Sequence, residues 1–462
     1  MKNRNQDKAT FLEKAGYGLG DMSSSMFWKI FSYYLPFFYS NVFGLSLAHA
    51  GTLLLITKLY DAVFDPIMGM IADRTRTRWG VYRPYLLWAA VPFAIAGVLT
   101  FTTPDAGYGF KHTFAYITYI IMMTTYSVIN VPYGAMLGVI TPDSREKTVF
   151  SSYRMFFAYG GSFIALAIFE PLLEFFRSKG NISVSDSWQY TMAVVGLICA
   201  VLFILCFAMT RERVKPETPQ AGNASVWKDV KSLVKNGPWW ILLAAGIGVL
   251  LFNSIRGGAA AYYFKDVIGT SAIFTCGIFL AAGEVANMLG VALAVPLSDR
   301  LGKKSSYILA LAVAGVLSLF IMFIPSTVAG MWTLIILQVL ISIATGVTLP
   351  LLWSMFADIA DYSEYRNASA STGLIFSSSS MSQKFGGAFG SALILWVLAA
   401  FGYDTSDAAV QSQAAITGLK AMMSWIPSIG AFAAALVVIF YPLTTSRMAE
   451  ISSALAERRS GR

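Results

Sequence analysis

Apolar residues run through this chain in long blocks separated by short polar turns. Twelve blocks stand out, at residues 16–41, 47–72, 83–103, 112–140, 149–174, 189–209, 239–264, 272–297, 305–325, 331–357, 372–402 and 416–442. About twenty apolar residues cross a bilayer as one helix, so the pattern predicts an all-α integral membrane protein with twelve transmembrane helices. The longest polar interior segment is 210–237. It divides the chain into an N-terminal six-helix bundle (1–209), a cytoplasmic linker (210–237), a C-terminal six-helix bundle (238–445) and a cytoplasmic tail (446–462).

The informative positions are the polar exceptions inside the blocks. Asp61 and Asp65 lie in the second, within Tyr60-Asp-Ala-Val-Phe-Asp-Pro-Ile-Met-Gly69. Spaced i, i+4, they share one helix face, and Lys58 falls on the same stripe. Carboxylates inside a membrane span are costly and mark ion or proton paths. The stripe therefore reads as a coupling-ion site whose lysine offsets part of the charge when the site is empty. The rival reading is that both aspartates merely pair with Lys58.

Further buried charges are Lys29, Arg154, Arg256, Glu284 and Lys384. Arg256 and Glu284 can pair, since a lone buried charge is untenable. Lys29 is open between Asp61 and an acidic substrate. A cavity lined by Lys29, Arg256 and Arg154 without partners would suit a uronic acid. Asn130 and Tyr126 are one turn apart in the fourth block, and the Asn130 amide both donates to and accepts from a hydroxyl. Trp28 and Trp353 can stack on a pyranose ring, or serve as interfacial and packing tryptophans. Gly257-Gly258 and Gly386-Gly387 permit close helix approach.

Composition agrees with the blocks. The 462 residues are 56% hydrophobic and 13% charged, with mean hydropathy +0.61, against about a quarter charged in soluble proteins. Net charge is +9, but Lys and Arg cluster in alternate loops, while those near 42–50 and 325–331 carry none. That positive-inside pattern puts both termini in the cytoplasm and argues against a nucleic-acid partner. Cys199, Cys206 and Cys276 fall in blocks and read as buried hydrophobes. His49 and His112 are read as distant loop residues, so no metal site is expected. The N-terminus runs into a full-length span without a cleavage signal.

A faint repeat links the halves. Gly69-Met-Ile-Ala-Asp73-Arg74, leading to Gly80 and Arg83, is echoed by Ser298-Asp299-Arg300-Leu-Gly302-Lys303-Lys304, with the Asp-Arg pairs 226 residues apart. Duplicated halves around a central site are a recurrent transporter design. The loop resembles the signature of the major facilitator superfamily. That resemblance implies a cytoplasmic gate at Asp73, Arg74, Asp299 and Arg300, latching one state of alternating access.

A closer resemblance covers Gly16 to about Pro442. Gly16-Tyr-Gly-Leu-Gly-Asp21, Tyr60–Gly69, Asp73–Gly80 with Arg83-Pro84, Asn130-Val-Pro-Tyr133, Ser152–Ala158, Ala357–Tyr365 and Gln383-Lys384-Phe-Gly-Gly387 are similar to the glycoside–pentoside–hexuronide:cation symporters, the family of the melibiose carrier. The resemblance implies cation binding at Asp61, Asp65 and Ser127. It implies sugar contacts from Arg154, Ser379 and Ser380, with Lys384 near both sites. Pro66 and Pro132 cannot donate backbone hydrogen bonds, which frees the carbonyls of Ala62 and Val128 as further hard oxygen ligands. Departures from the melibiose carrier are Asn130 for an aspartate, Gly134 for an aromatic residue, and Ser24 and Ser25 for a lysine and an aspartate. These leave the sugar site less charged and roomier.

The expected activity is import of a pentoside, xyloside or short oligosaccharide with Na⁺ or H⁺ across the cytoplasmic (inner) membrane, by a functional monomer in the lipid bilayer. No cofactor is expected beyond the co-transported ion. The alternatives are a hexuronide or galactoside symporter, a lysolipid transporter of the same superfamily, and an integral-membrane enzyme.

Overall fold

A computed structural model describes residues 9–141, 144–213, 233–269, 275–367, 372–406 and 410–460. Among these the protein is helical, with one isolated bridge, Thr77 to Gly80. The helices are α1 (Phe11–Tyr33), α2 (Leu47–Arg74), α3 (Arg83–Trp88), α4 (Ala90–Thr100), α5 (Tyr108–Ile140), α6 (Ser144–Arg177), α7 (Val184–Met209), α8 (Gly237–Tyr263), α9 (Cys276–Leu301), α10 (Lys303–Leu319), α11 (Val328–Asn367), α12 (Thr372–Ala400), α13 (Gln413–Met423), α14 (Trp425–Ile439) and α15 (Thr445–Ser460). Most of the expected linker, 214–232, lies outside the described residues.

Helix starts follow local chemistry. The hydroxyls of Thr10, Ser46, Ser183 and Ser412 each accept a backbone N–H from the first turn of α1, α2, α7 and α13, satisfying a donor that the helix leaves orphaned. Nine helical segments among the described residues are long and apolar enough to cross a membrane. α1 and α2 are long but carry internal charges. Two expected blocks are not single rods. Block 83–103 breaks at Ala89, and block 416–442 breaks at Ser424. Pro92 and Pro427, three residues beyond each break, lack the N–H that would close the helix there. The Met423 carbonyl, which Pro427 cannot reach, accepts the Ser318 hydroxyl instead (3.1 Å). Pro66 and Pro132 sit inside continuous helices.

The chain forms two compact units. One contains Met1–Gln220, Thr275–Ala281 and Asp404–Val410; the other contains Ala221–Phe274, Ala282–Tyr403 and Gln411–Arg462. In the first unit α1 packs on α6 and α7, and α2 on α5. In the second, α8 packs on α12 and α14, and α10 on α11 and α14. Gly386 of α12 lies against α8, where a Cβ would come within 2.5 Å of the Leu250 Cβ, so this glycine sets the approach of the two helices. Cys199, Cys206 and Cys276 are buried free thiols.

One sequence expectation is corrected. His49 and His112 are not distant loop residues: they are the third residue of α2 and the fifth of α5, with ring centroids 4.9 Å apart. The two helices run side by side in the same direction, which brings their starts together.

Candidate cation and substrate site

The α2 helix has two faces. Val63, Ile67, Met70 and Ile71 are exposed, while Thr57, Lys58 and Asp61 are buried; Asp61 is only 2% exposed. Apolar residues turned outward and charges turned inward are the reverse of a soluble helix, as a lipid environment requires. Across from the charged face, the Ser127 hydroxyl of α5 lies 2.7 Å from Asp61 Oδ1 and 2.7 Å from Asp65 Oδ1.

Those two contacts do not balance in protons. A serine hydroxyl has one proton to donate, and an ionised carboxylate only accepts. Ser127 can donate to one aspartate; its second contact sets two oxygens face to face. That contact is favourable once a carboxyl carries a proton or a cation lies among the oxygens. Lys58 is within electrostatic reach of Asp61, and its ammonium lies 5.6 Å from the centroid of the Trp28 ring. The sequence therefore places Asp61, Asp65 and Lys58 on one stripe, and the fold adds Ser127 from 66 residues away.

Next to Ser127, α5 turns a polar and aromatic strip towards α1. Ser24 Oγ lies 2.5 Å from Asn130 Oδ1, and Asn130 Nδ2 donates to the Tyr126 carbonyl (3.1 Å). Trp28 and Tyr126 pair with ring centroids 5.7 Å apart; Ser25 is half-buried beside them. Lys29 donates to the Tyr33 hydroxyl (3.3 Å), one turn on. Tyr126 and Ser127 are consecutive residues, so the strip adjoins the serine set against Asp61 and Asp65.

Arg154 of α6 has a partner that the sequence reading did not assign. Its Nε and Nη2 donate to the two carboxylate oxygens of Asp21 in α1, the second at 3.2 Å, a two-pronged geometry suited to the planar guanidinium. The guanidinium carbon also lies 5.0 Å from the centroid of the Tyr133 ring and 5.6 Å from that of Tyr17. Asp21 was legible as a charge within block 16–41, one turn before Ser25. Glu170 in α6 was also passed over. Its carboxylate accepts the Gly277 N–H at the start of α9 (2.8 Å) and the Tyr34 hydroxyl (3.3 Å).

In the second unit, buried Arg256 of α8 donates to Gln338 Oε1 of α11 (2.8 Å). Glu284 is buried in α9, Lys384 is half-buried in α12, and Trp353 in α11 is 36% exposed. The side chains of Ser379 and Ser380 lie outside the described residues.

The expected gate residues lie at helix ends and loops of the two units. Asp73 accepts the Tyr82 hydroxyl (2.7 Å). Burial and this bond push the Tyr82 phenol up to about 12. Arg74 is exposed at the end of α2. The loop is closed by Glu212, whose carboxylate accepts the N–H groups of Val81, Tyr82 and Arg83 at 2.7–2.8 Å. Gly80, at φ +121°, leaves room for that carboxylate, which a Cβ would approach within 2.6 Å. In the second unit, Lys303 pairs with Asp358 (2.7 Å). Asp299 lines a cavity of about 440 Å³ with Lys303, Lys304 and Asp358, and Arg300 borders an apolar groove of about 540 Å³.

Comparison with known proteins agrees with this layout. Residues 16–445 match the family described as MFS/sugar transport protein. The chain is 37% identical to YagG of Escherichia coli (strain K12), named as a candidate glycoside/cation symporter, over 98% of this chain and 96% of that one. It is 33% identical to the isoprimeverose transporter of Lactiplantibacillus pentosus, over 93% of this chain and 88% of that one. Among solved structures, that of the nucleoside transporter NupG superposes with a TM-score of 0.63 at 13% identity, over 93% of this chain and 98% of that one. The last likeness speaks to fold alone.

Proposed function

Because the chain belongs to the MFS/sugar transport protein family, we propose that it is a cation-coupled sugar symporter of the cytoplasmic membrane. Family membership makes it a transporter and removes the enzyme reading. In this proposal twelve helices form two six-helix bundles, 1–209 and 238–445, with both termini cytoplasmic and the monomer as the working unit.

The observation that carries the reading is the single Ser127 hydroxyl set against both Asp61 and Asp65. Two carboxylates and a hydroxyl brought together in the protein interior are oxygen ligands of the kind that hold Na⁺ or H⁺. Binding of the ion removes the repulsion between oxygens and fixes Ser127. The adjoining Tyr126 and Asn130 then present their strip to the sugar in a fixed geometry, which ties sugar affinity to cation occupancy. Each charge moved inward draws about 2.3 kcal/mol per 100 mV from the membrane potential.

The substrate we propose is a neutral glycoside, a pentoside, xyloside or short oligosaccharide. Ser24, Ser25 and Asn130 form an uncharged strip, and one relative is named as an isoprimeverose transporter. Arg154 and Arg256, which would have to meet a uronate, are engaged by Asp21 and Gln338. The test is counterflow of radiolabelled xylosides, xylo-oligosaccharides, galactosides and glucuronides in proteoliposomes, with and without Na⁺. Exchange of xylosides stimulated by Na⁺ supports the proposal with Na⁺ as the ion. Exchange indifferent to Na⁺ but driven by a pH gradient assigns H⁺. No sugar exchange by well-folded protein overturns it in favour of a lysolipid carrier.

A further inference from the structure

The chain has two histidines in 462 residues, and they face each other at the starts of α2 and α5, ring centroids 4.9 Å apart and planes inclined by 56°. Two imidazoles bound through nitrogen to one tetrahedral ion at about 2.0–2.1 Å bring their ring centroids roughly 5 Å apart. The observed spacing meets that condition, which packed rings without an ion also meet.

The surroundings orient both rings. His49 Nδ1 lies 2.7 Å from the Tyr108 hydroxyl, which also accepts the Ser46 N–H (3.1 Å) and donates to Ser46 Oγ (3.2 Å). In the tautomer that carries its proton on Nδ1, His49 donates to Tyr108, whose own proton goes to Ser46. That tautomer leaves the lone pair on Nε2, the arrangement by which an outer partner fixes a metal-binding imidazole. His112 makes no hydrogen bond among the described residues. It is steadied instead by Tyr108 (ring centroids 6.4 Å apart, planes 15° apart) and Tyr116 (5.1 Å). The neighbouring cation, Lys111, places its ammonium 6.0 Å from the centroid of the Phe43 ring. His49 is exposed and His112 half-buried, so water can complete the coordination.

We propose that His49 and His112 form a binding site for a divalent transition-metal ion of the zinc class, for which neutral imidazole is a suited ligand, with Tyr108 positioning His49. The ion would join the starts of α2 and α5, the helices that carry Asp61, Asp65 and Ser127 further along.

The test is titration of purified full-length protein with Zn²⁺ against a chromophoric chelator, with Co²⁺ absorption reporting nitrogen ligation. One ion per chain is expected. His49→Ala and His112→Ala should each lose it while keeping a monodisperse elution profile and sugar counterflow. Tyr108→Phe should weaken it about tenfold, the scale of an outer-partner loss, and a variant with all three cysteines changed to serine should retain it. Absence of binding by the wild-type protein overturns the proposal. So does undiminished binding by the double histidine variant, or loss of binding in the cysteine variant. None of these outcomes bears on sugar transport.

Discussion

The two units bury polar clusters of opposite sense. In the first, two carboxylates converge on one hydroxyl, at Asp61, Asp65 and Ser127. In the second, a guanidinium donates to the neutral amide oxygen of Gln338. Carboxylates and a hydroxyl are hard oxygen ligands that suit a cation, whereas a guanidinium donating to an amide oxygen is a tie within the chain. Under the proposed function the carboxylate cluster of the first unit holds the coupling ion, and the Arg256–Gln338 contact ties α8 to α11.

The comparison breaks most visibly at the aspartates. Asp61→Cys or Asp65→Cys should abolish gradient-driven accumulation with expression intact. The loss is that of the electrical drive, about 2.3 kcal/mol per charge at 100 mV, or a roughly fiftyfold accumulation ratio. Full accumulation in both variants, measured in energised vesicles, would sink the assignment. Arg154→Met acts on stability instead. Breaking one side of a largely buried ion pair costs about 3–5 kcal/mol, to be read as lowered thermal stability in detergent. Adding Asp21→Asn should restore most of it; a double variant no better than the single would show that the pair is not the reason.

A matched pair sharpens the contrast between the units. Ser127→Ala should raise the cation concentration for half-maximal counterflow about tenfold, the value of a hydrogen bond to a charged group. Gln338→Leu should lower stability by about 1–3 kcal/mol with cation dependence unchanged. Equal shifts in cation dependence from both would erase the distinction. The smallest effect is expected at the cytoplasmic loop. Tyr82→Phe removes the bond to Asp73 and should cost about 1 kcal/mol, because Glu212 still holds the turn through three backbone N–H groups. A loss of transport out of proportion to that change would support a gating role for Asp73.

Part of the site was legible in the sequence. The stripe of Lys58, Asp61 and Asp65 follows from helical spacing alone, as does the one-turn separation of Tyr126 and Asn130. Asp21 and Glu170 were visible as charges in apolar blocks, yet nothing local named their partners. The histidines show the limit most plainly: they read as unrelated, and the fold sets their rings 4.9 Å apart.

The membrane class, the helical blocks, the two aspartates on one face and the family could all be read from the sequence. Each depends on residues within a few turns of one another, or on order along the chain. Only folding brought Ser127 to both aspartates, Arg154 to Asp21, Glu212 to the loop at Gly80, and His49 to His112. In lipid, helices are apolar on most faces, so hydrophobic periodicity gives little indication of which helix faces which. Neighbours are chosen by packing and by buried polar pairs, and those contacts join residues that the chain keeps far apart.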